Sequence, residues 1–175
     1  RGANQMCLYG DMLGGSDDSC VANGWRAFVS TLPLTLTDTD GSKTVNVKFR
    51  DEAGWRSDSV SATVVLDGTI PSSASVSISG GGRFTTTTSV SLALAATDAT
   101  SGIASMAIAN GDIDCATAAY EPYLQARSWT LANQDGTSVV RACFRDRAGN
   151  VRSAEPSTII LDRRAPTGVG VSIAD

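Results

Sequence analysis

The residues best suited to chemistry are four cysteines, Cys7, Cys20, Cys115 and Cys143, and a set of aspartates near glycine-rich turns. The cysteines lack the C-x-x-C spacing of zinc and redox sites, and the chain contains no histidine, the commonest metal ligand and general base. Disulfides are the reading that remains, and they imply an oxidising compartment. Serine and threonine are abundant, but no G-x-S-x-G elbow or phosphate-binding loop accompanies them. Gly80-Gly81-Gly82 leads into the strand-like Arg83-Phe84-Thr85-Thr86 and reads as a tight turn, since a phosphate loop would open a helix. Enzymatic activity is therefore not expected. Asp38-Thr39-Asp40-Gly41 resembles part of a calcium loop but lacks the twelve-residue ligand spacing, so a turn is expected there.

Composition narrows the partners. The 175 residues are 42% apolar and 18% charged with a net charge of −4, and the 14 basic residues are scattered, which argues against nucleic acid. No apolar run approaches the roughly 20 residues of a membrane helix. The chain begins at Arg1 without a signal sequence, so it is expected to be part of a longer exported protein whose signal lies upstream.

The elements that must position these residues emerge when the sequence is slid against itself. Residues 20–80 align without a gap on residues 115–175 at an offset of 95, with 18 of 61 pairs identical. Asp40-Gly41 matches Asp135-Gly136, Phe49-Arg50-Asp51-x-Ala53-Gly54 matches Phe144-Arg145-Asp146-x-Ala148-Gly149, and Leu66-Asp67-x-x-x-Pro71 matches Leu161-Asp162-x-x-x-Pro166. In the Asp38 run only Asp-Gly recurs, since the second copy reads Asn133-Gln134-Asp135-Gly136. Apolar residues alternate with period two at Val76 and Ile78, at Val90, Leu92 and Leu94, and at Val140, Ala142 and Phe144, as half-buried strands require. Six or seven short strands per unit predict an all-β fold of tandem immunoglobulin-like β-sandwich repeats. Residues 1–71 form an incomplete repeat lacking its first strands, 72–166 a complete one, and 167–175 the first strand of a further one.

The run Phe144 to Asn150, then Leu161, Asp162, Ala165 and Pro166, with Ala96 to Gly102 before it, resembles the bacterial Ig-like repeats of large surface and secreted proteins. The first copy departs from that pattern at Trp55 and Ile70. The resemblance implies a rod of domains in an adhesin, stalk, filament or secreted-enzyme tail. Some adhesins of this general class carry a lysine–asparagine isopeptide staple, which the absence of lysine from 72–166 excludes in that unit.

Four cysteines allow three pairings. Corresponding points in successive sandwiches lie about 30 Å apart, whereas a disulfide needs Cα atoms within about 7 Å. Cys7 is thus expected to pair with Cys20 and Cys115 with Cys143. Phe28, Tyr123 and Trp129 read as core and edge packing, whereas Trp25 and Tyr120, in register after the shared cysteine, are candidate exposed contact residues. Trp55 stands in a turn where the other copy has Asn150, and is expected to lie against the preceding domain or a partner. The repeat geometry also brings Asp67, Asp98, Asp146 and the amide of Asn150 toward one place, a candidate calcium site against the alternative that each only caps its own turn. The expected role is a spacer or shaft whose partners are neighbouring repeats, copies of itself in a filament, or a surface ligand. The alternatives are a glycan- or protein-binding module and accessory repeats of a secreted hydrolase. The strands missing from the incomplete unit are expected either to precede Arg1 in the natural chain or to be donated by a neighbouring molecule, for which the tail strand is a candidate by strand addition.

Overall fold

The computed structural model describes residues 2–18, 20 and 24–171. It divides into two compact units, 1–69 and 70–175, both all-β apart from a 3-10 turn at Ser79–Gly81. Among the described residues no helix is long and apolar enough to cross a membrane.

The first unit contains β1 (Gln5–Gly10), β2 (Arg26–Ala27), β3 (Gly41–Arg50) and β4 (Val60–Leu66) in one antiparallel sheet ordered β2-β1-β3-β4. β3 begins at Gly41, whose φ of +120° suits glycine alone, and pairs with β4 from Gly41↔Leu66 to Val47↔Val60. Its other edge pairs with β1, placing Met6 opposite Phe49 and Cys7 opposite Lys48.

The second unit contains β5 (Ser73–Ile78), β6 (Phe84–Thr85), β7 (Ser89–Thr97), β8 (Ile103–Asn110), β9 (Glu121–Pro122), β10 (Ala126–Thr130), β11 (Gly136–Asp146), β12 (Val151–Ser153) and β13 (Ser157–Leu161). One sheet is ordered β10-β7-β5 and the other β6-β13-β11-β8-β9, with β12 paired to β11. That is the two-sheet arrangement of an immunoglobulin-type sandwich. Val90, Leu92 and Leu94 of β7 are buried while Ser89, Ser91, Ala93 and Ala95 face outward, because successive strand residues point to opposite faces. Val140, Ala142 and Phe144 of β11 meet them from the other sheet, with Met106, Leu131 and Ile159 filling between. The Tyr123 ring packs edge-on to Phe144 with centroids 5.8 Å apart, and Trp129 lies half-buried against the same cluster. Each such side chain contributes about 1.5–3 kcal/mol by leaving water.

Of the aromatics expected in core and edge packing, Phe28 lies at the edge. Phe28 contacts Phe49 at 5.9 Å between centroids yet remains 46% exposed. The reason is non-local: in the second unit β5, β7 and β10 cover the equivalent face, whereas residues 31–35, aligned with β10, form no strand in the first. A β-strand needs a hydrogen-bonded neighbour, and the one that β10 has, β7, has no counterpart among the described residues of the first unit.

Candidate functional site

The outer face of each sheet that carries an F-R-D strand holds a loop by two bonds of different kinds. In the second unit Cys143 joins Cys115 with Cα atoms 5.6 Å apart, and in the first Cys7 joins Cys20 at 6.1 Å. Cys7 stands opposite Lys48, while Cys143 stands opposite Ala107. These are the same rung of the same strand pair, since Met6↔Phe49 and Met106↔Phe144 are the adjacent rungs. The staple therefore reaches one strand in the first unit and its neighbour in the second. Facing Cβ atoms on such a rung are only about 5 Å apart, so the same loop cysteine can reach either. This explains why Cys20 and Cys115 align in the repeat while their partners do not.

The second bond is a stacked arginine. Arg145, two residues beyond Cys143 and on the same face, lies 3.6 Å from the Tyr120 ring centroid. Arg50, at the corresponding place, lies 4.6 Å from that of Trp25. Arg56 adds a second guanidinium over Trp25 at 5.4 Å, and Arg50 also donates through Nε to Gln5 Oε1 at 2.8 Å. The Tyr120 hydroxyl donates to the Cys115 carbonyl at 2.9 Å. Burial pushes its phenol pKa upward against the opposing pull of Arg145. Trp25 and Tyr120 are thus half-buried strap residues, each with a guanidinium over its ring. The arginines were not singled out from the sequence, although each recurs at the same offset as its aromatic.

The aspartates organise turns. Asp98 Oδ1 accepts from the amides of Thr100, Ser101 and Gly102 at 3.1, 2.9 and 2.8 Å. These donors, led by Gly102, hold its carboxyl below the ordinary carboxylate range against the opposing effect of burial. Asp146 Oδ1 accepts from the amides of Gly149 and Asn150, and its Oδ2 from the Asn150 side-chain amide at 3.0 Å. The turn after the other F-R-D keeps the backbone bond, Asp51 N–H to Trp55 O at 3.1 Å, matching Asp146 N–H to Asn150 O at 3.1 Å. Within the second unit Asp98 and Asp146 each offer a carboxylate oxygen within 4.8 Å of the other, so Asp98, Asp146 and Asn150 are brought together there. Asp67 belongs to the first unit, where it is buried and its Oδ1 accepts from the Thr69 amide at 3.1 Å.

The Asp38–Gly41 run is a turn with a built-in cation. Lys43, 5% exposed, donates from Nζ to the hydroxyls of Thr37 and Thr39 at 3.0 and 2.7 Å. Asp40 accepts from the Thr69 hydroxyl and the Gly68 amide, in that order the main reasons its carboxyl is held low. The second-unit counterpart Asp135 instead accepts from Arg163 Nε at 2.6 Å. Trp55 is 79% exposed, with its amide bonded to Asp51 Oδ1 at 2.9 Å.

No family model and no curated protein matches the chain. Among solved structures it is similar to the fibronectin(III)-like modules of Clostridium thermocellum CbhA, at 10% identity and a TM-score of 0.44 over 97% of this chain and 84% of that one. It is also similar to the D00-D0 domain of intimin, at 15% identity and 0.32 over 91% and 86%. For the FN1-FN3 domains of chicken CNTN1 the values are 13% and 0.41 over 91% and 57%. Likenesses this distant carry no functional assignment, and the reading of function rests on the chain's own residues.

Proposed function

We propose that this chain is a structural spacer in an exported, extracellular bacterial protein, built from tandem immunoglobulin-like repeats and without catalytic activity. One observation carries the reading: the residues able to do chemistry are engaged in holding loops and turns. The cysteines close disulfides, Trp25 and Tyr120 lie under arginines, and Asp98 and Asp146 bind the amides of their own turns. The 95-residue sequence period supports the repeat assignment, and the two disulfides support an oxidising destination. The test is adhesion of cells displaying this segment alone to a panel of glycans and matrix proteins. A spacer gives no adhesion above that of bare cells. Adhesion that is lost on Trp55→Ala would replace this reading with that of a binding module.

Calcium at the acidic turns is a second proposal, favoured by the proximity of Asp98 and Asp146. Two carboxylates so close repel each other, and a calcium ion would relieve that repulsion while taking further oxygens from backbone and water. Calcium should then raise the melting temperature of the chain over that in chelator, and Asp98→Asn should remove the difference. Equal melting temperatures for the unsubstituted chain in calcium and in chelator would leave the aspartates as turn caps only.

A further inference from the structure

The aspartate of each Asp-Gly turn sends its carboxylate away from the turn. Gly41 and Gly136, with φ of +120° and +117°, supply the backbone conformation there. Asp98, Asp114 and Asp146 behave as turn aspartates usually do and accept from amides two to four residues on. Asp40 reaches 28 residues along the chain instead, where Oδ1 accepts from the Gly68 amide at 2.8 Å, and its Oδ2 accepts from the Thr69 hydroxyl. Asp135 accepts from Arg163 Nε at 2.6 Å, again 28 residues on, and its Oδ2 pairs with Arg164 Nε at 3.5 Å. These are the same two positions, since Gly68 and Thr69 align with Arg163 and Arg164 at the 95-residue offset. The donors have changed from an amide and a hydroxyl to two guanidinium groups, yet the carboxylate holds the same place.

Strand register accounts for the recurrence. β3 and β4 meet at the rung Gly41↔Leu66, and β11 and β13 at Gly136↔Leu161. The aspartate stands just before that rung on one strand, and the chain leaves the sheet just after it on the other. The departing segment is also folded on itself alike in both units. Asp67 Oδ1 accepts from the Thr69 amide at 3.1 Å, and Asp162 Oδ1 from that of Arg164 at 3.0 Å. In the second unit Arg163 Nη1 adds a bond to Asn133 Oδ1 at 2.6 Å.

We propose that Asp40 and Asp135 are positioning residues that clamp the departing chain to the end of their own sheet, fixing the direction in which it leaves each unit. The inference rests on the spacer reading and names the groups that restrain such a spacer. Segments that join domains are mobile by default, and one bonded to the unit it leaves gives up that freedom. The two clamps differ in kind. That of Asp40 joins a carboxylate to neutral donors, whereas that of Asp135 is a partly exposed pairing of opposite charges, which salt screens. Ionic strength therefore adjusts the second and leaves the first in place.

The experiment is NMR relaxation of the backbone amides of the full chain. Gly68 and Thr69 should show order parameters of about 0.85, like β3 and β4, falling below about 0.6 in Asp40→Ala. Thr69→Val, which leaves the Asp-Gly turn untouched, should give intermediate values. Asp40→Asn keeps an acceptor for the Gly68 amide and should retain most of the order. Arg163→Ala should free the amides at 163 and 164, and about 1 M salt, where the screening length is about 3 Å, should loosen them in the unsubstituted chain without loosening Gly68 and Thr69. High mobility of Gly68 and Thr69 in the unsubstituted chain would overturn the proposal, as would undiminished order there in both Asp40→Ala and Thr69→Val. Disorder in Asp40→Ala that runs along β3 and β4, with none in Thr69→Val, would reduce Asp40 to a turn residue. None of these outcomes bears on the adhesion test, so a failed clamp leaves the spacer reading standing.

Discussion

Arg145 and Cys143 are two residues apart on β11, project to one face, and anchor one loop through a stacked ring and a disulfide. The covalent bond should dominate. Cys115→Ser with Cys143→Ser is expected to lower the second unit's stability by about 2–5 kcal/mol in chemical denaturation, as for other small disulfide-braced domains. The stack is worth less because both partners are only half-buried, and a double-mutant cycle of Arg145→Ala and Tyr120→Ala should give a coupling of about 0.5–1 kcal/mol. Asp98 makes a pH prediction. Its carboxyl is held low by the Gly102, Ser101 and Thr100 amides, so its contribution is fully present above the unfolded carboxylate value of about 3.9. That contribution is lost as pH falls through the lower folded value. Thermal melts across the acid range should show a steeper fall for the unsubstituted chain than for Asp98→Asn, which has no carboxylate to protonate.

At the scale of elements, β3 and β11 make a natural comparison, since they share the F-R-D ending and the same pairing with β1 and β8. Their burial differs. Phe144 is fully buried between two sheets, whereas Phe49 lines an open groove. Phe144→Ala should therefore cost about 3–5 kcal/mol. Phe49→Ala should cost less than about half of that, because a side chain still touching water leaves a smaller cavity and forfeits less transfer energy. Paired denaturation curves of the two variants would check this. Equal losses would mean that the first unit's face is closed in solution.

For the molecule as a whole, the two units should behave unequally. Residues 70–166 include both sheets of a sandwich and its core, and are expected to unfold in one cooperative calorimetric transition when prepared alone. Among the described residues, those of 1–69 form one sheet, and alone they should bind a hydrophobic dye and melt without a sharp heat-absorption peak. Much of this organisation is legible in the primary structure. Period-two alternation marks β7 and β11, and the short reach of a disulfide selects Cys7 with Cys20 and Cys115 with Cys143. These features are local, or follow from distances that chain geometry bounds. Burial is not of that kind. Phe28 reads as a core or edge aromatic and is half open, Trp25 and Tyr120 read as candidates for exposure and lie beneath arginines, and Lys43 is buried among threonine hydroxyls. Each outcome depends on which distant segment lies over the residue, and only the packed structure decides that, because the solvent a side chain loses is displaced by neighbours remote in sequence.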